Sequence, residues 1–172
     1  MNNNKPEVWL RGSLPDIPGL LQPAAHALLQ AKEDVYKYTI DFPEELLWEK
    51  PAGRASVGFH LQHLTGVLDR MLTYAAGKSL SEAQFEYLKN EGNPGTSSGM
   101  NALTAAFEAK VEEALQVFEN TPEVILPEKR TVGRKKLPST VIGLLFHAAE
   151  HSQRHVGQLL VSVSVLKDRN RF

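Results

Sequence analysis

From Pro138-Ser139 to Leu166 the chain carries a helical stripe that no internal proline interrupts. Val141, Leu145, Leu159, Val163 and Leu166 cluster on one side of a wheel turned by about 100° per residue, while Glu150, Arg154 and Asp168 lie opposite. A helix of this length reaches roughly 40 Å at about 1.5 Å per residue. Its apolar side must be buried against other elements. That side also holds imidazoles: His155 lies within it, His151 close to it and His147 at its edge. Residues at i and i+4 share a helix face, with about 5–6 Å between Cβ atoms, so His151 and His155 can converge on one divalent ion.

Three further helices are expected. Gln22-Pro23 opens the first, because proline is tolerated in a first turn, and Leu21, Ala25, Leu28, Ala31, Val35 and Tyr38 form its stripe up to a stop at Pro43. A short helical turn is expected around Glu44–Trp48. Ser56 caps the second helix, with Val57, Leu61, Leu64, Leu68, Met71 and Ala75 facing inward and Gly77 ending it. The third runs from Met100 to Glu119 on Leu103, Ala106, Phe107, Val111, Ala114 and Val117 or Phe118. Residues 1–20 are expected to form an extended lead-in, 80–90 a short helix, 90–99 a loop and 130–135 a strand-like turn. The architecture implied is all-α, an antiparallel four-helix bundle in a single domain over residues 1–172.

The charge balance narrows the function. Nineteen basic residues against twenty acidic ones leave a formal charge of −1, and no basic stripe suits nucleic acid. The one basic run, Lys129 to Lys136, falls in an expected loop and reads as a solvated connection rather than a phosphate-binding arm. No apolar run is long enough for a membrane span, and Met1–Pro6 leads into no signal-peptide core. A soluble, cytoplasmic protein is expected. The chain has no cysteine, which leaves histidine and carboxylate as metal ligands and excludes a thiolate nucleophile of its own.

Five of the six histidines lie in two places, His60 and His63 on the second helix and His147, His151 and His155 on the last. A lone histidine on an apolar face is more often a hydrogen-bonded core residue than a ligand. Two side by side each need a partner or a metal, and a second helix offering histidines strengthens the metal reading. The wheel favours His60 as a third ligand, since His63 lies on the flank. Three histidines would leave coordination positions open to water or substrate, as in a catalytic site. Gly157 costs about 1 kcal/mol of helix propensity relative to Ala; it reads either as room for a ligand or helix to approach or as a packing notch.

His147-Ala-Ala-Glu150-His151 also matches the inverted zinc-protease pattern H-x-x-E-H, with Glu150 as general base. That architecture needs a further downstream carboxylate, and only Asp168, on the same helix, follows. Nucleophile-elbow, Walker and dinucleotide-binding motifs are missing, as are the repeated E-x-x-H pairs of di-iron bundles.

Two segments carry a resemblance. Leu47-Trp48-Glu-Lys-Pro51 followed by Ser56-Val57-Gly58-Phe59-His60-Leu61-Gln62-His63 resembles an L-W-x-x-P lead-in to a histidine-bearing helix. His147-Ala-Ala-Glu-His151-Ser-Gln-Arg-His155-Val-Gly157-Gln158 resembles an H-x-x-x-H-x-G-Q close. Together they are similar to the DinB/YfiT-like superfamily, damage-inducible four-helix bundles with a three-histidine metal site, and the likeness extends from about Leu14 to Leu166. It implies His63, His151 and His155 as metal ligands, against the wheel's preference for His60, and leaves His60 and His147 as core residues or partners of ligands. It implies zinc or nickel as the divalent metal, although a histidine-only site also suits copper or iron. It further implies a metal-dependent enzyme, such as a low-molecular-weight-thiol S-transferase or isomerase, in which the metal stabilises the thiolate of a small-molecule cofactor. The alternatives are a hydrolase using a metal-bound water and a non-catalytic, stress-related metal-binding bundle. A homodimer is the expected assembly by the same analogy.

Overall fold

A computed structural model describes residues 5–95 and 99–169. Four long helices dominate: α1 (Gln22–Thr39), α2 (Val57–Ala75), α4 (Met100–Glu119) and α5 (Val141–Arg169), with a short α3 (Glu82–Asn90) between the second and third of them. Helix α2 packs on α5 and α4, and α1 packs on the same two, so each long helix has two long neighbours. One hydrophobic cluster draws on all four, with Leu28, Leu61, Leu64, Phe107, Phe118, Leu145 and Leu159 wholly enclosed.

The helix ends follow local chemistry. Phe59 N–H donates to Ser56 Oγ at 3.1 Å, so Ser56 caps α2 as expected. At its other end Gly77 adopts φ +72°. Its N–H reaches Tyr74 O at 2.9 Å while Lys78 N–H reaches Thr73 O at 3.1 Å, the paired bonds of a Schellman stop. Helix α4 starts at Gly99, which has no capping side chain; instead Met100 N–H donates to the Glu44 carboxylate at 3.0 and 3.2 Å. The expected turn around Glu44–Trp48 is a 3-10 turn at Glu44–Leu46.

Several expectations need correction. The last helix begins at Val141, not at Pro138-Ser139, because those residues belong to a hairpin of β1 (Lys129–Val132) and β2 (Leu137–Thr140). Pro138 fits there opposite Thr131, since an edge strand tolerates a missing donor, and Gly143 N–H donates to Thr140 Oγ1 at 3.1 Å to start α5. Four-residue strands are too short to show a period-two pattern in the sequence. The fold is therefore mostly helical with a small two-stranded sheet. The basic run lies in β1 and its turn, and Arg130 Nε donates to Ala75 O at 2.8 Å at the end of α2. Residues 8–11 and 19–21 of the lead-in form 3-10 turns rather than extended chain. Val8 is buried there, and its N–H donates to Gln30 Oε1 at 2.9 Å. Ala106 is exposed, and Phe118 rather than the half-buried Val117 closes the α4 stripe. Among the described residues no helix is long and apolar enough to cross a membrane.

Candidate metal centre

The L-W-x-x-P segment positions the start of α2. Gly58 N–H donates to Leu47 O at 2.8 Å, and the Trp48 ring lies so close that a Cβ on Gly58 would sit 2.7 Å from it. The tryptophan thus packs directly on the backbone of the first turn of α2, two residues before His60. His60 then faces inward and is buried, as the wheel indicates, while His63 on the flank is half-buried.

The long helices α2 and α5 bring four imidazoles together. His63 Nε2 and His151 Nε2 approach to 2.9 Å. The ring centroids of His63 and His155 lie 4.3 Å apart, and those of His151 and His155 4.6 Å. His60 Nδ1 meets His155 Nδ1 at 3.1 Å. His63, His151 and His155 each offer one donor atom within 4.8 Å of the others, an arrangement able to hold a metal ion. The wheel and the flank residue both have their place: His63 reaches the convergence, and His60 stands behind His155.

The protonation of the cluster suits ligation. Burial holds His60 down at about 4, with the nearness of His63 a lesser cause. Burial likewise lowers His151 to about 4, followed by His63, His147 and Arg154. His155 is pushed down to about 3 by burial, then by His63, His151 and His60. These three rings are neutral at pH 7, the form that ligates. In a neutral imidazole one nitrogen donates and the other accepts. Bond lengths of about 2.0–2.1 Å from zinc to histidine nitrogen place tetrahedral donors about 3.3 Å apart. The 2.9 Å spacing of His63 and His151 is close to that, so the residues fit a small divalent ion. His151 Nδ1 is buried with no hydrogen-bond partner among the described residues.

His147, Glu150 and His151 form a second group of convergent donors. His147 Nδ1 lies 2.7 Å from Glu150 Oε1, and Arg154 Nη2 donates to Glu150 Oε2 at 3.1 Å. Glu150 does not simply face away: it is half-buried between these two partners. An arginine on the carboxylate weakens it as a ligand or general base. The group shares His151 with the first, which has the more enclosed histidines: the His147 side chain is 44% exposed, that of His63 17%.

Sequence reasoning missed Glu91 and Arg70. Glu91 lies in the turn after α3, where the sequence predicts a loop, and its side chain is only 5% exposed; its Oε2 lies 2.6 Å from His63 Nδ1 and its Oε1 accepts from Arg70 Nη1 at 2.6 Å. Arg70, one of few charged residues on α2, is buried. The usable signal was Gly66, one helical turn before Arg70: a Cβ there would sit 2.4 Å from Glu91 Oε1. At Gly157 no other helix among the described residues makes a close approach: an added Cβ would meet nothing within 4 Å.

A mostly helical fold with histidines convergent from its second and last long helices defines a class, helical proteins with a candidate histidine metal centre. Residues 27–159, more than half of the chain, match the DinB superfamily. The chain belongs to that superfamily. No curated protein matches it as a relative.

Proposed function

We propose that the protein holds one divalent metal ion through His63, His151 and His155 and acts as a metal-dependent enzyme of the low-molecular-weight-thiol S-transferase class. The carrying observation is the convergence of those three half-buried histidines, from two helices, within 4.8 Å. A single antiparallel four-helix-bundle domain is the matching architecture, supported by the closed round of pairings among α1, α5, α2 and α4 and by their shared core. Zinc and nickel suit an all-imidazole donor set.

A metal ion held there would supply a Lewis acid that lowers the pKa of a thiol or water beside it. The remaining work falls to the chain. His60 Nδ1 lies 3.1 Å from His155 Nδ1; with His60 as the acceptor, His155 carries its proton on Nδ1 and its Nε2 is bare for ligation. The Phe59 ring stacks on His63, with centroids 5.4 Å apart and planes within 10°, which restricts rotation of that ligand. With no cysteine in the chain, the sulfur nucleophile has to arrive as a small molecule.

The test begins with metal content by mass spectrometry on untagged protein. About one equivalent in wild type, lost in His63→Ala and His155→Ala and retained in His60→Ala, supports the site. Loss only in His60→Ala and His155→Ala replaces His63 by His60, and no metal after reconstitution sinks the reading. Thiol-dependent consumption of an electrophile, abolished by His151→Ala, supports the transferase; thiol-independent turnover marks a hydrolase, and neither marks a binding protein.

A further inference from the structure

The proposed centre has a polar support that reaches it from outside the long helices. Glu91 is the residue that closes α3. It sends one carboxylate oxygen to His63 Nδ1 and the other to Arg70, both at 2.6 Å. Arg70 needs only one of those oxygens, so its presence fixes which oxygen faces the histidine. The placement of Glu91 is prepared on all sides. Gln62 Oε1 accepts from Gly92 N–H at 2.7 Å, its Nε2 donates to Asn93 O at 3.1 Å, and Tyr87 Oη donates to Gln62 O at 3.1 Å. Glycine at position 66 leaves the space through which the carboxylate and guanidinium meet.

Helix α3 itself buries no residue. Its contacts with α2 include Gln84 Nε2 donating to Asp69 Oδ2 at 2.6 Å and the Tyr87 ring lying against Gly66. Its end delivers an enclosed carboxylate to one nitrogen of one histidine. An ionised carboxylate can only accept, so at 2.6 Å His63 Nδ1 is the donor; in the neutral imidazole Nε2, the nitrogen facing His151, then keeps its lone pair.

We infer that Glu91 is the positioning residue of the metal centre, holding His63 in the Nδ1–H tautomer with Nε2 aimed at the ion, with Arg70 orienting its carboxylate. This rests on His63 being a ligand, as proposed above. Outer partners of this kind set ring orientation and ligand basicity, and their loss costs about 10- to 100-fold in metal affinity.

The experiment pairs zinc affinity, from competition with a chromophoric chelator, with side-chain nitrogen NMR of metal-free protein. Wild type, Glu91→Gln and Glu91→Ala are compared, with circular dichroism to verify folding. Glu91→Gln is isosteric but has one acceptor oxygen for two donors, so it keeps the test alive should Glu91→Ala fail to fold. The expected result is an Nδ1–H tautomer at His63 in wild type, a shift toward Nε2–H in the variants, and zinc binding weaker by about 10- to 100-fold. Wild-type affinity in folded variants overturns the inference, as does an Nε2–H tautomer in wild type. If wild type binds no zinc, the metal reading fails on its own. The tautomer then decides: Nδ1–H in wild type and lost in the variants upholds the positioning role of Glu91, and any other pattern ends it.

Discussion

Helices α1 and α2 are nearly equal in length, 18 and 19 residues, and both pack on α4 and α5. Their inward faces differ. Helix α1 buries Ala24, Ala25, Leu28, Ala31 and Val35, with Thr39 its one buried polar residue, bonded back to Val35 O. Its polar side ties down the N-terminal segment, where Glu33 pairs with Arg11 and Gln22 bonds Leu14 and Ile17. Helix α2 buries His60 and Arg70 among its apolar residues and directs His63 toward α5. Each of these finds its partner on another element: His155, Glu91 and His151. Buried polar groups are costly unless paired. Helix α1 therefore serves packing, while α2 gives part of its core to the candidate metal centre.

The sharpest way to break this contrast is to remove a donor. His63→Ala should abolish stoichiometric metal binding, read by mass spectrometry, while the helical signal persists. Leu28→Ala on α1 should do the reverse. Leu28 is wholly enclosed, so its truncation should cost about 2–5 kcal/mol in urea unfolding while folded protein still binds metal. If Leu28→Ala and His63→Ala both changed stability and metal content alike, the division of labour would fall.

Acid should separate the helices next. In an unfolded chain these imidazoles titrate at their ordinary value of 6.5, but in the fold His60 titrates at about 4 and His155 at about 3. Between those values the unfolded chain takes up protons that the fold refuses, so metal-free protein loses stability as pH falls from 6.5 toward 4. His60 alone should account for on the order of 3 kcal/mol. Urea melts of wild type and His60→Leu at neutral and acidic pH test this, and the variant should show the shallower dependence. Acidification should also release bound metal, since protons compete for the same lone pairs.

Two glycines give smaller effects of opposite sign. In Gly66→Ala the new Cβ would lie 2.4 Å from Glu91 Oε1, 2.7 Å from Arg70 Nη1 and 2.8 Å from the Tyr87 ring. Overpacking of this kind costs about 1–3 kcal/mol, and metal affinity should drop with it because Glu91 is displaced. In Gly157→Ala the Cβ enters open space within α5, so thermal unfolding should show a gain of up to about 1 kcal/mol.

Much of the fold was legible because helices are local. The spacing of Leu61, Leu64 and Leu68, the hydroxyl of Ser56 and the position of Gly77 specify the path of α2 without reference to the rest of the chain. The i, i+4 pairing of His151 and His155 is local in the same sense. The hairpin was legible only as a strand-like turn at 130–135, because its strands are stable only through each other and the helices beside them, and four residues leave no periodic trace. The choice between His60 and His63 was out of reach of a wheel. A wheel records direction from one helix axis, whereas the convergence depends on where α5 lies against α2.

The amino-acid order by itself determined the helical class, both ends of α2, the apolar faces and the presence of histidines on two of them, since each follows from residues within a few positions of one another. The membership in a known superfamily is likewise carried by linear motifs. Tertiary structure alone decided that His63 meets His151 while His60 backs His155, and that Glu91 comes to His63 from 28 residues away. Such contacts depend on helix packing and on the close approach allowed at Gly66, quantities that exist only once the chain has folded.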